Sequence, residues 1–191
     1  MKTQKKTEVQ AKRAFTLIEM IGVLAVIAIL AALLIPKIFE AINNARVNNA
    51  LVSYNTAKTA VMDHYAKYGG IDRSTNNVII TGTALTGYDH TLLTEGFLDK
   101  PFLTKIGSTS WVQVVIATAS PYDLDGDGNI DSTNGASYVV EAVIAGVPGT
   151  DAKDVNDRLD GSGAPFTWAN PDTRGRVRYD GTNLNLYITH R

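Results

Sequence analysis

The sequence contains no cysteine. In an exported chain this excludes a disulfide framework, so the loops must be pinned by other means. Histidine is scarce too: His64, His90 and His190 stand singly, and isolated histidines are more often surface or helix-face residues than ligands. The chain has no G-x-x-x-x-G-K, G-x-S-x-G or H-E-x-x-H, which removes the phosphate loop, the nucleophile elbow and the zinc-protease helix from consideration. No enzymatic activity is expected. The formal charge of −1 hides an asymmetry. Met1–Ala14 carries Lys2, Lys5, Lys6, Lys12 and Arg13 against Glu8; subtracting these from 18 basic and 19 acidic residues leaves 13 and 18, a formal charge of −5. An acidic chain of this kind is a poor general binder of DNA or anionic lipid, so nucleic acid is not an expected partner. Arg174, Arg176 and Arg178 alternate as one solvated strand face would.

What the chain does have is a long apolar run. From Phe15 to Ile35 it is apolar almost throughout, and Glu19 is the one acid inside it. Twenty-one residues cross a bilayer as a helix, which needs about 20. The basic leader stays on the cytoplasmic side by the positive-inside rule, and the remainder lies outside. A secretory signal is cut after its apolar region at an A-x-A-like site. Here the flank is IPKIFEAINNARVNN, and the only small-residue junction is Ala14-Phe15, ahead of the run. Apolar periodicity then continues through Val47, Leu51, Tyr54, Val61, Tyr65 and Tyr68, one face of an amphipathic helix that Gly69-Gly70 ends. Phe15 to Tyr68 would make a helix of about 80 Å. Pro36 is expected to kink or locally melt it, and Gly22 would let a neighbouring helix approach closely. A carboxylate inside such a run costs roughly 2.5–3.5 kcal/mol at mid-bilayer and signals function; a plain anchor has no evident use for Glu19.

AFTLIEM followed by the apolar helix resembles the N-terminus of type IV prepilins and of type II secretion pseudopilins, over roughly residues 10–68. The resemblance implies that a prepilin peptidase cuts between Ala14 and Phe15 and methylates the Phe15 amine. The family usually has glycine before the cut, where this chain has Ala14. It implies too that Glu19 of one copy pairs with the charged amine of the next as a helical filament grows. Such a pair neutralises two charges that would otherwise be buried alone. Many pilin heads have a loop-closing disulfide, which this chain cannot form.

The expected architecture is α+β and pilin-like: a leader (1–14), a long helix (15–68, with 15–36 in membrane or filament core and 37–68 backing the head) and a globular head (69–191). Residues 69–110 read as a surface connection with a short strand or a turn of helix, with Val78-Ile79-Ile80 and Leu92-Leu93 as its apolar pieces. Strands are expected at Trp111–Ala119, Ser137–Gly146, Arg176–Tyr179 and Leu184–Thr189, the last two joined around Asp180-Gly181. An antiparallel sheet of these four would cover Tyr54, Val61 and Tyr65. Thr150 is placed to cap a short helix with Asp151 and Asp154 in its first turn and Gly161 at its end. Asp151, Asp154, Asp157 and Asp160 would form its solvated face.

The segment 123–131 (DLDGDGNID) matches the first nine positions of an EF-hand or dockerin calcium loop. Asp123, Asp125 and Asp127 supply oxygens at positions one, three and five, and Gly128 the turn at six. Asn129 supplies its carbonyl at seven, and Asp131 ligates at nine directly or through water. Asn134 occupies position twelve in place of the usual bidentate glutamate. Hard oxygen donors without His or Cys favour Ca²⁺. A metal-free Asp/Gly turn is the plain alternative.

The reading this supports is a type IV pilus subunit, a homo-oligomer handled by a prepilin peptidase and by assembly machinery in the inner membrane. It would be membrane-inserted first and at the cell surface afterwards. A type II secretion pseudopilin, in a periplasmic pseudopilus, is the nearest alternative. A membrane-anchored calcium-binding adhesion ectodomain is the alternative from another class.

Overall fold

A single helix, α1, runs from Leu17 to Tyr68. The computed structural model describes residues 15–71, 87–119, 121–125, 127, 129–131, 138–161 and 175–191. The chain divides into two compact units, Met1–Ile42 and Asn43–Arg191. In the first, α1 is apolar on every side and long enough to cross a membrane. Its side chains from Phe15 to Ile42 are exposed, save a half-buried Ala31. Pro36 lies inside α1 and does not interrupt it, so the expected local melting is absent. One lost hydrogen bond costs about 3 kcal/mol, and the apolar turns on either side carry the ladder past it. α1 stops where Gly69 takes φ of +70° and donates its N–H to the Tyr65 carbonyl at 2.8 Å.

In the second unit, α1 buries Val47, Ala50, Tyr54, Ala57, Ala60, Val61 and His64. Val47, Tyr54 and Val61 face inward as expected, and the rest of the stripe differs. Tyr65 and Tyr68 are exposed, whereas Ala50, Ala57, Ala60 and His64 face inward. The reason is geometric: the small side chains at 50, 57 and 60 fit on the face turned to the core, and Tyr65 and Tyr68 take the rim. His64 is 2% exposed. Its Nδ1 shares a hydrogen bond with the Tyr88 hydroxyl at 3.0 Å, and its Nε2 lies 3.1 Å from Glu95.

After α1 come α2 (Tyr88–Thr94), β1 (Thr109–Ile116), β2 (Tyr138–Ala145), α3 (Gly149–Leu159), β3 (Val177–Tyr179) and β4 (Leu184–His190). The strands form one antiparallel sheet in the order β1-β2-β4-β3. This is a long N-terminal apolar helix packed on a four-stranded antiparallel sheet. Leu92-Leu93 belongs to α2; Val78-Ile79-Ile80 falls outside the described residues. β1 is shorter than expected, because Ala117–Ala119 turns into a 3₁₀ segment that redirects the chain. The β3–β4 connection runs through Asp180–Asn183, with the Asp180 carboxylate accepting the N–H groups of Thr182 and Asn183 at 2.9 and 2.6 Å.

The sheet's inner face packs with α1, α2 and α3 into one core, through residues such as Val112, Ala142, Ile144, Leu186 and Ile188. Each fully buried aliphatic side chain there contributes roughly 1.5–3 kcal/mol. The Tyr54 hydroxyl donates to the backbone carbonyl of Tyr187. Asp89, fully buried at the start of α2, accepts the N–H groups of Phe102 and Val112 at 3.1 and 3.2 Å and so fastens α2 to the outer edge of β1. Burial pushes its carboxyl above the usual range, against the lowering pull of those hydrogen bonds.

β2 is buried on both faces because the chain after β1 folds back over the outside of the sheet. Ala117, Tyr122 and Val139 form a second small core there, with Val115, Leu124 and Tyr187 packed against it. Within it Glu141, 1% exposed, accepts from the Tyr122 hydroxyl at 2.7 Å, Gln113 Nε2 at 2.6 Å and Asn185 Nδ2 at 3.1 Å.

Thr150 does not cap α3. Pro148 holds the capping position with no side-chain bond, and Thr150 sits inside the first turn. Proline's fixed φ suits a helix start, and its absent N–H is no loss there. Nor is the acidic face of α3 fully solvated. Asp151 is buried and Asp160 closes the helix end, its Oδ2 accepting the N–H groups of Arg176 and Val177 at 2.8 and 3.0 Å. Gly161, with φ of +92°, follows as expected.

Candidate functional sites in the N-terminal helix and the acidic loop

Phe15 stands at the head of α1, 81% exposed, while Ala14 lies outside the described residues. Thr16 and Glu19 are joined by three hydrogen bonds. Glu19 Oε2 accepts the Thr16 N–H and the Thr16 hydroxyl, both at 2.7 Å, and the Glu19 N–H donates to Thr16 Oγ1 at 3.3 Å. This is a reciprocal capping box, which satisfies donors that a helix start leaves unpaired. It corrects one expectation: an acid at this position does have a use inside a single chain. The T-x-x-E spacing of Thr16 and Glu19 announces the box in the sequence. A Cβ built on Gly22 meets nothing within 4 Å. Gly22 is therefore not required by its own chain's packing, which leaves its small size available to a neighbour.

The acidic loop sits on the outer face of the second unit. Asp123, Asp125 and Asp131 each offer a carboxylate oxygen, all within 4.8 Å of one another. Asp123 is buried, Asp131 half-buried and Asp125 exposed. Asp131 ties the loop to itself: its N–H donates to the Tyr122 carbonyl at 2.9 Å, and its Oδ2 accepts from the Leu124 N–H at 2.7 Å. Among the described acids Asp127 does not join the cluster, and Asn129, expected through its backbone carbonyl, uses its side chain elsewhere. Asn129 instead donates from its amide and its N–H to Asp127, at 2.9 and 2.7 Å, and these bonds hold the Asp127 carboxyl below its ordinary range. Asn134 lies outside the described residues. Three of the six expected ligands are thus brought together.

Neighbouring structure supports that loop. Tyr122, just before Asp123, is fully buried against Glu141 and lies 5.3 Å, ring to ring, from Tyr187. Burial and the nearby charge of Asp131 push the Tyr187 hydroxyl up to about 12. The Asp123 carbonyl accepts the Gly175 N–H at 2.7 Å. Glu141 was expected only as part of a strand, and no local pattern marks it as the residue that anchors Tyr122.

Residues 10–35 match the family model described as the prokaryotic N-terminal methylation motif. That motif at the N-terminus supports a type IV pilin or pseudopilin family for the chain. Among solved structures, the chain is similar to the major type IV pilin PilA1 from Clostridium difficile. The identity is 16% and the TM-score 0.43, over 78% of this chain and 97% of that one. The assignment rests on the motif. No curated protein matches the sequence.

Proposed function

We propose that this pilin-family chain is a structural subunit of an extracellular type IV pilus. Export places it in the inner membrane with its head outside. A prepilin peptidase cuts between Ala14 and Phe15 and methylates the Phe15 amine, and the mature subunits polymerise through α1. The observation that carries the reading is the exposed apolar surface of α1 from Phe15 to Ile42, directly behind the methylation motif. Lipid covers such a surface before assembly, and other copies of the helix cover it afterwards. Glu19 of one copy then meets the methylated amine of the next, a charge pair out of water that fixes axial register.

The same N-terminus serves a type II secretion pseudopilin, a reading to which the cysteine-free head and the acidic loop also lend support. The distinguishing result is whether a deletion strain loses surface filaments or loses protein export. Imaging sheared surface filaments, with mass spectrometry of their N-terminal peptide, tests the proposal itself. A methylated peptide beginning at Phe15 is the expected result. Surface material beginning beyond Pro36 refutes it.

We also propose that Asp123, Asp125 and Asp131 hold Ca²⁺ in the head. Three carboxylates crowded within one loop repel each other without a cation, and oxygen-only donors suit a hard one. Extracellular calcium modules bind at about 10⁻⁴–10⁻³ M, and such a site would supply the cross-link that a cysteine-free head lacks. Isothermal titration with Ca²⁺ tests it; no heat at millimolar Ca²⁺ refutes it.

A further inference from the structure

α1 contains a stretch with poor intrinsic support. Asn43, Asn44, Asn48 and Asn49 are four asparagines in seven residues, and asparagine is among the weaker helix formers because its side chain competes for nearby backbone groups. Tertiary burial gives little help there: Asn43 is half-buried, Asn44, Asn48 and Asn49 are exposed, and Val47 is the first fully buried residue of α1. Yet this stretch is helical.

Arg158, near the end of α3, reaches across to it. Its Nη2 donates to Asn44 Oδ1 at 2.6 Å, and its Nη1 donates to Asn48 Oδ1 at 2.5 Å and to the Asn44 carbonyl at 3.4 Å. Two consecutive turns of α1 are thereby gripped by one planar, rigid fork. Exposed arginine contacts often contribute little. This one differs because it occupies side-chain acceptors that would otherwise turn on the α1 backbone, in a stretch of poor helix propensity.

We infer that Arg158 is a latch on a built-in weak point of α1. With the latch closed, the helix stays wound through Asn43–Asn49; with it open, these turns unwind or bend while the rest of the head stays folded. The inference does not depend on the filament or calcium readings.

Hydrogen–deuterium exchange on the full-length protein in detergent tests it. Arg158→Ala should speed exchange of the backbone amides of Asn43–Leu51 by roughly tenfold, the scale expected for losing charge-assisted hydrogen bonds in partial exposure, and leave those of Tyr54–Val61 unchanged. Arg158→Lys, a single point donor, should fall between. In an Asn44→Ala, Asn48→Ala background, which strengthens the helix and removes both side-chain acceptors, leaving only the long contact to the residue-44 carbonyl, Arg158→Ala should have little further effect. Unchanged exchange at Asn43–Leu51 in Arg158→Ala overturns the inference. So does uniform acceleration across the head, which would make Arg158 an ordinary contributor to global stability.

Discussion

Glu19 has two uses that one pair of substitutions separates. Inside its own chain it closes the capping box with Thr16, through bonds of 2.7, 2.7 and 3.3 Å. Losing a cap costs about 0.5–2 kcal/mol. Gln is the other residue that closes such a box, so Glu19→Gln should leave the helix start nearly intact, whereas Glu19→Ala should fray it. In a filament the carboxylate would also neutralise the amine of the neighbouring copy, and Gln cannot do that. Removing one partner of a buried ion pair costs about 3–5 kcal/mol, which is about two to four decades in subunit association at 1.36 kcal/mol per decade. A capping role alone therefore predicts filaments from Glu19→Gln and fewer from Glu19→Ala. Charge pairing predicts a loss of at least about a hundredfold from both. The assay is the yield of sheared filaments relative to subunit retained in the membrane, with circular dichroism of the solubilised protein to check that the helix persists. Glu19→Gln assembling at wild-type yield would refute the pairing argument and leave Glu19 as a cap.

Other consequences follow from the head. Asn156 on α3 is fully buried, and among the described residues neither its Oδ1 nor its Nδ2 has a hydrogen-bond partner. Each such group costs about 1–3 kcal/mol, so Asn156→Leu, with the same number of side-chain heavy atoms, should raise the melting temperature by a few degrees; a lower one would mean the site does not accept an apolar side chain. Asp89 titrates from a raised folded-state value, so the native state holds its proton more tightly than the unfolded chain does. Wild type should therefore gain stability relative to Asp89→Asn as pH falls through the raised value toward the ordinary carboxylate value, and melting curves of the pair across that window check the sign. Gly107 has φ of +73°, and a Cβ there would lie 2.4 Å from the Ala145 carbonyl oxygen. Gly107→Ala should destabilise the head by about 1–3 kcal/mol or more, read as a lowered melting temperature. EDTA should lower the melting temperature of the head and added Ca²⁺ restore it; no shift in either direction would remove the proposed metal from the account.

Local signals carried much of this protein. The apolar run, the Gly69 stop, the α+β class, the four strands and the spacing of the acidic loop follow from residue type and period alone. These features depend on how neighbours in sequence project from a helix or strand, which is a short-range property. The capping box belongs with them, because T-x-x-E is a local pattern even though it was passed over.

The remainder required the tertiary structure. The inner face of α1 combines Val47, Tyr54 and Val61 with Ala50, Ala57, Ala60 and His64, while Tyr65 and Tyr68 stay outside; apolar periodicity does not single out alanines or a histidine. Glu141 beneath Tyr122, Asp89 on the edge of β1 and Asp160 on the N–H groups of Arg176 and Val177 join positions far apart in the chain. The pairing of Arg158 with Asn44 and Asn48 spans more than a hundred residues. A sequence shows that such polar groups are present; only the folded chain shows which of them meet, because a buried polar side chain has a role only through the partner that packing brings to it.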